Sequence, residues 1–332
     1  MPDVEMAARW NQFVGQAPFA THYVTANYFI DPYIRGEAFA VLAADEGGEI
    51  TAVLTGTIDG EKIVSGMFSR PQIVFGKNVN RESAASALLE GITEVSHSSK
   101  SLIEIYAWEE LPQISVDGMQ VRKSNDSTSV VILELADGPD AIFAKFSQTR
   151  RNEIRKAIKQ NLVEIKQLET DTELDELYQI HCDWNERKGN QADTIEQIKT
   201  SVGQTENRRV FIAKANGKVI AGSFYRFCSG VVVEYAANVS MPQFQRLRPN
   251  DLIGWHAIHW ACSENFTHFS MGGSHLFLRR FGGEIRQTFR YRRDQSRFKL
   301  HVLRENARKF TNSAYRRLPE NFKNGVRKIL AR

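Results

Sequence analysis

Two stretches of the chain repeat one alternation of apolar and polar positions. Residues 38–54 read as a short apolar strand, a turn at Gly47-Gly48 and a second apolar strand; residues 209–224 read the same way around Asn216-Gly217. Gly-Gly and Asn-Gly supply the positive-φ positions of a tight turn, so each stretch is predicted to be a hairpin. A third strand follows each, over 62–66 and 231–236. The period then lengthens from two to about 3.6. Ala84, Ala85, Leu88, Leu89, Ile92 and Val95 share one helical face in the first copy. Leu252, Ile253, Ala257, Ile258 and Ala261 do so in the second. Each helix leads into an apolar strand, over 102–107 and 266–270. The copies stay offset by roughly 165–170 residues, which predicts an internal duplication of one α/β unit. The alternative is two unrelated α/β pieces that share common turns.

A strand over 129–135 is followed by the turn cluster Asp137, Gly138, Pro139 and Asp140, which places the boundary between the copies. A single helix is predicted from near Pro139, carrying Ile142, Phe143, Phe146, Ile154, Ala157 and Ile158, with Arg150, Arg151, Arg155 and Lys156 as a basic stripe. The stripe is either a contact for phosphates or a solvated face packed on the other domain. The expected organisation is therefore a first domain over 1–137, a second over 138–298 and a tail over 299–332. A hairpin meander, one helix and a returning strand is the core order of an acetyltransferase-like α/β domain.

A length of 332 residues fits two domains. With 42% hydrophobic and 25% charged residues, the chain has ordinary globular composition, without the signature of disorder. No apolar run approaches the ~18 residues of a membrane span. The acidic start, Met1 to Glu5, lacks the apolar core of a signal peptide. Cys182, Cys228 and Cys262 are too few and too scattered for a disulfide framework or zinc site, and read as reduced thiols of a cytoplasmic protein. No metal site is expected: His256 and His259 lie three apart without further ligands, and no Ser-His-Asp order or phosphate loop is present. The net charge of +4 is uneven. The tail from Lys299 carries ten bases against Glu305 and Glu320, a net +8, so the preceding residues sum to −4. Within the tail, residues 321–332 place their apolar positions on one helical face. That face suits an anionic membrane surface, RNA, or packing on the body.

Four segments resemble the FemAB-like acyl- and aminoacyl-transferases: FSQTRRNEIRKA over 146–157 before a short strand, HCDWNERKG over 181–189, RPND over 248–251, and GGSHLFLRRFGG over 272–283. The resemblance extends from about residue 10 to about residue 300 and rests on the order and spacing of these segments. It implies an α/β fold of two tandem GNAT-like domains, each a mixed, mostly antiparallel sheet flanked by helices, to which the charge pattern adds a basic helical tail. It also implies acyl or aminoacyl transfer to an amine of a glycan or cell-envelope precursor, with aminoacyl-tRNA or acyl-CoA as donor. The place is then the cytoplasm, with peripheral contact at the inner face of the membrane through the tail. A CoA-dependent N-acetyltransferase and a non-catalytic binder of anionic glycan or nucleic acid are the rival readings. Two departures bear on them. The family's Phe-Lys-x-x-Phe-Gly lysine falls on Leu278. The stretch from Gln245 to Asn250 lacks the glycines of a pyrophosphate loop, and Pro249 removes one amide from the helix start.

Acyl transfer requires loss of the amine's proton, stabilisation of the carbonyl oxygen, and alignment. Glu234, a carboxylate inside the apolar strand 231–237, is the candidate base, or else a residue paired with a nearby arginine. Arg279 is the candidate for charge stabilisation if its segment is a turn or helix, and Arg280 for phosphate or carboxylate binding. Tyr225 and Tyr235 are candidates for substrate binding, or core residues with satisfied hydroxyls. Ser274 and His275 precede the signature and are placed at the substrate. Arg248 and Asn250 open a helix whose N-terminus attracts anions, though Asn250 also suits a cap. Lys188 borders the expected acceptor groove, and Gly189 beside it suits a helix C-cap.

Overall fold

The computed structural model describes residues 2–96 and 100–307. The expected apolar face over 321–332 lies outside the described residues. In chain order the elements are α1 (Val4–Gln16), β1 (Glu37–Ala44), β2 (Ile50–Asp59), β3 (Lys62–Ser65), β4 (Ile73–Phe75), α2 (Arg81–Ser96), β5 (Leu102–Ala107) and β6 (Gln120–Lys123). There follow β7 (Val130–Glu134), α3 (Gly138–Lys145), α4 (Gln148–Gln160), β8 (Glu164–Gln167), α5 (Asp171–Lys188), α6 (Ile195–Gly203), β9 (Arg208–Ala215), β10 (Lys218–Cys228) and β11 (Val232–Ser240). Then come α7 (Pro249–Ser263), β12 (His268–Ser270), α8 (Leu276–Arg279), β13 (Glu284–Arg286) and β14 (Phe289–Asp294), and the described part of the tail over 300–307 is helical.

The hairpins form where the turn residues permit. Asn216 and Gly217 both hold positive φ, 50° and 78°, the twist a two-residue hairpin turn requires. At the first hairpin the Asp45 carboxylate accepts from the amides of Gly47 and Glu49 at 3.0 Å, and Gly48 turns the chain with φ 80°. The strands fall in the order β1-β2-β3-β5-β14-β6, with β4 on β2, and β13-β7-β12-β11-β10-β9-β8. The series β1-β2-β3-β5 and β9-β10-β11-β12 match step for step: two antiparallel pairings, then a parallel one reached by a crossover through α2 or α7. The duplication is thus present in the topology.

The halves exchange their closing strands. β7 precedes the expected boundary near residue 137, yet lies in the second sheet between β12 and β13. β14 falls inside the expected second domain, yet lies in the first sheet between β5 and β6. A strand such as Val130–Glu134, buried over its first four positions, carries no pattern that says which sheet it joins. A shared apolar cluster seals the exchange: Trp10, Val14, Val53, Val74, Val130, Ile132 and Val232 pack together between the sheets.

The single helix expected from Pro139 is two helices, α3 and α4. The break falls at Phe146, and Ser147 caps α4 by accepting from the Arg150 amide at 3.4 Å. α5 ends as expected at Gly189, whose φ of 69° makes a left-handed cap. The three cysteines are free, and burial pushes the Cys228 thiol up to about 12. Among the described residues no helix is long and apolar enough to cross a membrane, and no group of His, Cys, Asp and Glu could hold a metal.

Candidate active site

The strands of the second half are irregular at one place. β10 faces β11 through Arg226 opposite Glu234 and Tyr225 opposite Tyr235. The register then jumps so that Phe224 faces Ala237, leaving Ala236 opposite no residue of β10. This is a β-bulge, which takes the extra residue out of the ladder. β11 runs beside β12 only from Val232 to Glu234, so the two strands part just before the bulge. Gly272 closes in at the parting with φ 66°; a Cβ there would stand 2.4 Å from the Tyr235 carbonyl oxygen. From the first half, Arg70 reaches the same point. Its Nη2 donates to the Ala236 carbonyl at 3.1 Å, and its Nε lies 2.8 Å from Glu234 Oε1. Against the bulge lies a cavity of about 200 Å³ between α5, α6 and β9 to β11, lined by Tyr33, His181, Arg208, Tyr225, Arg226 and Ala236 among others.

A buried charge network joins the halves beside this cavity. Arg208, Arg226 and Glu234 stand in one row across β9, β10 and β11. Tyr23 Oη donates to Glu234 at 3.2 Å and accepts from Arg226 Nη1. Asp31 Oδ2 lies 2.9 Å from Arg208 Nη2 and 3.1 Å from His22 Nε2. Burial opposes the charge of Asp31, but the His22 hydrogen bond and then Arg208 and Arg226 hold its carboxyl well below the usual carboxylate range. Burial drives His22 down from 6.5 to about 4, so the ring is neutral at pH 7 and donates to Asp31 through Nε2.

This lowered value has a measurable consequence. Between pH 6.5 and 4 the unfolded chain binds a proton at His22 that the folded chain refuses. Stability is therefore insensitive to His22 above pH 6.5 and falls as pH drops toward 4, by about 3 kcal/mol in all. Urea midpoints from pH 7 to pH 4 should show that slope in the native protein and a shallower one in His22→Gln. Equal slopes would contradict the assignment.

The structure brings only some of the sequence-selected residues to the bulge. Glu234 is 1% exposed and committed to Arg70 and Tyr23, the paired alternative of the two expected for it. Tyr225 lines the cavity, 1% exposed, and Tyr235 stands beside it with ring centroids 5.9 Å apart; burial raises both phenols. Leu278 is core. Arg279 lies in a short helix, the condition set for its role, but its guanidinium donates to the carbonyls of Ser274 at 2.6 Å and Asp126 at 2.7 Å. Ser274 Oγ donates to the same Asp126 carbonyl at 2.6 Å. These contacts tie down the loop before α8. His275 and Arg280 are exposed on that helix. Lys188 is exposed at the end of α5, its Nζ 5.8 Å from the Trp184 ring centroid.

At the start of α7, Arg248 is exposed, holds φ 59° and pairs with Glu153. Asn250 donates to Ser240 Oγ at 3.2 Å and does not cap the helix. Asp251 places a buried carboxylate in the first turn, 2.9 Å from Arg150 Nε. Arg150, expected on an exposed or packed basic stripe, is 3% exposed, donates to the Phe277 carbonyl at 2.8 Å and lies 3.8 Å from the Phe281 ring centroid. Burial lowers Arg150 and raises Asp251, so each charge depends on the other. Pro249 and Asp251 together make this helix start a poor cradle for a pyrophosphate.

Sequence reasoning missed Tyr23, Asp31, Arg70, Arg208 and Arg226. Arg70 meets its partner across more than 160 positions, and no local pattern announces it. Arg226 was within reach, because pairing the predicted strands sets it opposite Glu234, a charge facing a charge inside apolar strands.

Residues 144–293 match the acetyltransferase (GNAT) domain family. No curated protein matches the sequence significantly. Among solved structures, FemX has 13% identity and a TM-score of 0.70, with 89% of this chain and 97% of that one covered. The C-terminal domain of a putative lysylphosphatidylglycerol synthetase from Agrobacterium fabrum has 12% identity and a TM-score of 0.59, covering 90% and 95%. A tandem GNAT protein from the clavulanic acid biosynthesis pathway has 10% identity and a TM-score of 0.51, covering 89% and 96%. At such identities the likeness is one of fold. The chain has the tandem, FemAB-like GNAT fold, and its second half carries the GNAT domain, which supports acyl transfer as the general reaction.

Proposed function

We propose that the second half transfers an acyl or aminoacyl group to an amine, with the Ala236 bulge as the point where the donor carbonyl is polarised. The bulge carries the reading. Ala236 has no partner residue on β10 and lies at the parting of β11 and β12 and on the wall of the cavity. A fixed amide of this kind stabilises a developing oxyanion without reorganising. The donor lies along the parting and the acceptor amine comes from the cavity. The amine nitrogen attacks the carbonyl carbon, the C–N bond forms, and the ester or thioester bond breaks. The hydroxyl or thiol leaves with the proton that the amine sheds. Glu234, held by Arg70, positions the bulge through that arginine rather than taking the proton, and Arg279 holds the neighbouring loop. Tyr225 and Tyr235 line the acceptor side. Arg248, Asn250, Ser274, His275, Arg280 and Lys188 edge the groove that receives the rest of the substrates.

The acceptor in this reading is an amine of a glycan or cell-envelope precursor. The donor is an aminoacyl ester such as aminoacyl-tRNA, because the start of α7 offers few free amides to a pyrophosphate. An acyl-CoA donor is the second reading, favoured by the acetyltransferase match over 144–293. The test is mass-spectrometric detection of amide product from aminoacyl-tRNA, acetyl-CoA and longer acyl-CoAs with a panel of amines. Ala236→Pro removes the amide hydrogen of the proposed oxyanion donor, at a bulge, one of the places where sheets accept proline. It should cut transfer by about 10²- to 10³-fold while donor binding persists. Native rates in that variant would sink the assignment of the bulge.

A further inference from the structure

The cavity beside the bulge holds hydrogen-bond donors with nothing to receive them. Arg208, 4% exposed, has its Nε on Gln204 and its Nη2 beside Asp31, while Nη1 has no partner. Tyr225 borders the cavity, but its ring packs with Phe211 and Phe269 on the other face of the sheet. His181, 8% exposed, accepts at Nε2 from the Asp193 amide at 3.1 Å. That bond fixes the neutral ring with its proton on Nδ1, which is buried and unpartnered. Arg208 and His181 thus bring two buried donors without partners to the α5/α6 face of the sheet, a state folded proteins avoid.

Charge points the same way. In the network at the inner end of the cavity, Arg70, Arg208 and Arg226 face Asp31 and Glu234, with His22 neutral, leaving one positive charge in excess. One excess charge suits a monoanion better than a phosphate dianion. At the outer end Asp193, partly exposed and 3.5 Å from His181, supplies one negative charge. Between them Ile198, Val210, Phe224 and Ala237 make apolar walls. A cavity of about 200 Å³ is somewhat larger than the ~150 Å³ that accommodates benzene.

We propose that this cavity binds the α-carboxylate of a small amino acid, free or at the end of a peptide, against Arg208 and His181. Resting on the acyl-transfer reading, this assigns the acceptor's class: an amine whose own molecule carries a carboxylate that anchors it.

Binding is measured without any donor, so failure here and failure of acyl transfer are separate results. Calorimetry and NMR titrations of the full chain would use L-amino acids, short peptides with free carboxyl termini, the matching amines without a carboxylate, and inorganic phosphate. At least one amino acid or peptide should bind with Kd below about 10 mM, within the range of weak small-molecule sites. Its carboxylate-free analogue should bind at least tenfold more weakly. A preference for peptide over free amino acid would name the source without changing the site. Arg208→Met should abolish binding. Because that variant disturbs the network with Asp31, His181→Gln serves alongside it and is expected to weaken binding about three- to tenfold, the loss of one hydrogen bond. Tighter binding of phosphate, no binding by any carboxylate compound, or unchanged binding in His181→Gln would overturn the proposal.

Discussion

Arg150→Ala is expected to destabilise the protein by about 3–5 kcal/mol, because it strands Asp251 as a buried carboxylate without a partner. Arg150 does three things at once. It neutralises Asp251 at the first turn of α7, it donates to the Phe277 carbonyl beside α8, and it lies against the rings of Phe277 and Phe281 at 4.4 and 3.8 Å. The side chain therefore ties α4, α7 and α8 together. Urea unfolding should show a midpoint lower by about 1 M or more. The double variant Arg150→Met with Asp251→Leu removes both charges and keeps the volume, and should recover most of the loss. If Arg150→Ala alone unfolds at the native midpoint, the pair does not hold the second half as described.

Arg70→Ala carries the second large effect. Arg70 is the first half's contribution to the bulge, bonded to both Glu234 and the Ala236 carbonyl. Glu234 raises the charge affinity of Arg70 in turn. Without the guanidinium, Glu234 loses its nearest countercharge and keeps the Tyr23 hydrogen bond and Arg226 across the ladder, at a cost of about 3 kcal/mol. Arg70→Lys should rescue only part, since a single ammonium cannot reproduce the fork on carboxylate and carbonyl. Adding Glu234→Gln to Arg70→Ala should restore stability by removing the stranded charge, but not transfer activity, since the bulge is still unclamped. Activity and stability that recover together would make Arg70 a fastening between the halves and nothing more.

Much of the fold was legible in the pattern of the chain. Asn216-Gly217 and Gly47-Gly48 announced their hairpins, and the helical faces around Leu88 and Ile258 announced α2 and α7. What stayed hidden was which sheet β7 and β14 join, since an apolar strand looks alike in either. The break at Phe146 was hidden too, because the apolar period of α3 runs on into α4 while Ser147 stops the backbone. At the site, Glu234 and Tyr225 were visible as a charge and a phenol in apolar strands. The bulge was not, because it arises from pairing and not from composition. Arg150 was read as a stripe residue, since a helix pattern does not show that Asp251 waits on the facing helix.

The central claim is that an acyl donor lies between β11 and β12 with its carbonyl at Ala236. A crystal structure with a non-hydrolysable aminoacyl-ester or acyl-thioester analogue tests it most directly. The carbonyl oxygen is predicted within about 2.7–3.1 Å of the Ala236 amide nitrogen, the distance of a working oxyanion donor, with the remainder of the donor running out past Gly272. A donor carbonyl seated in the first half, or in the second half away from the bulge, would contradict the account.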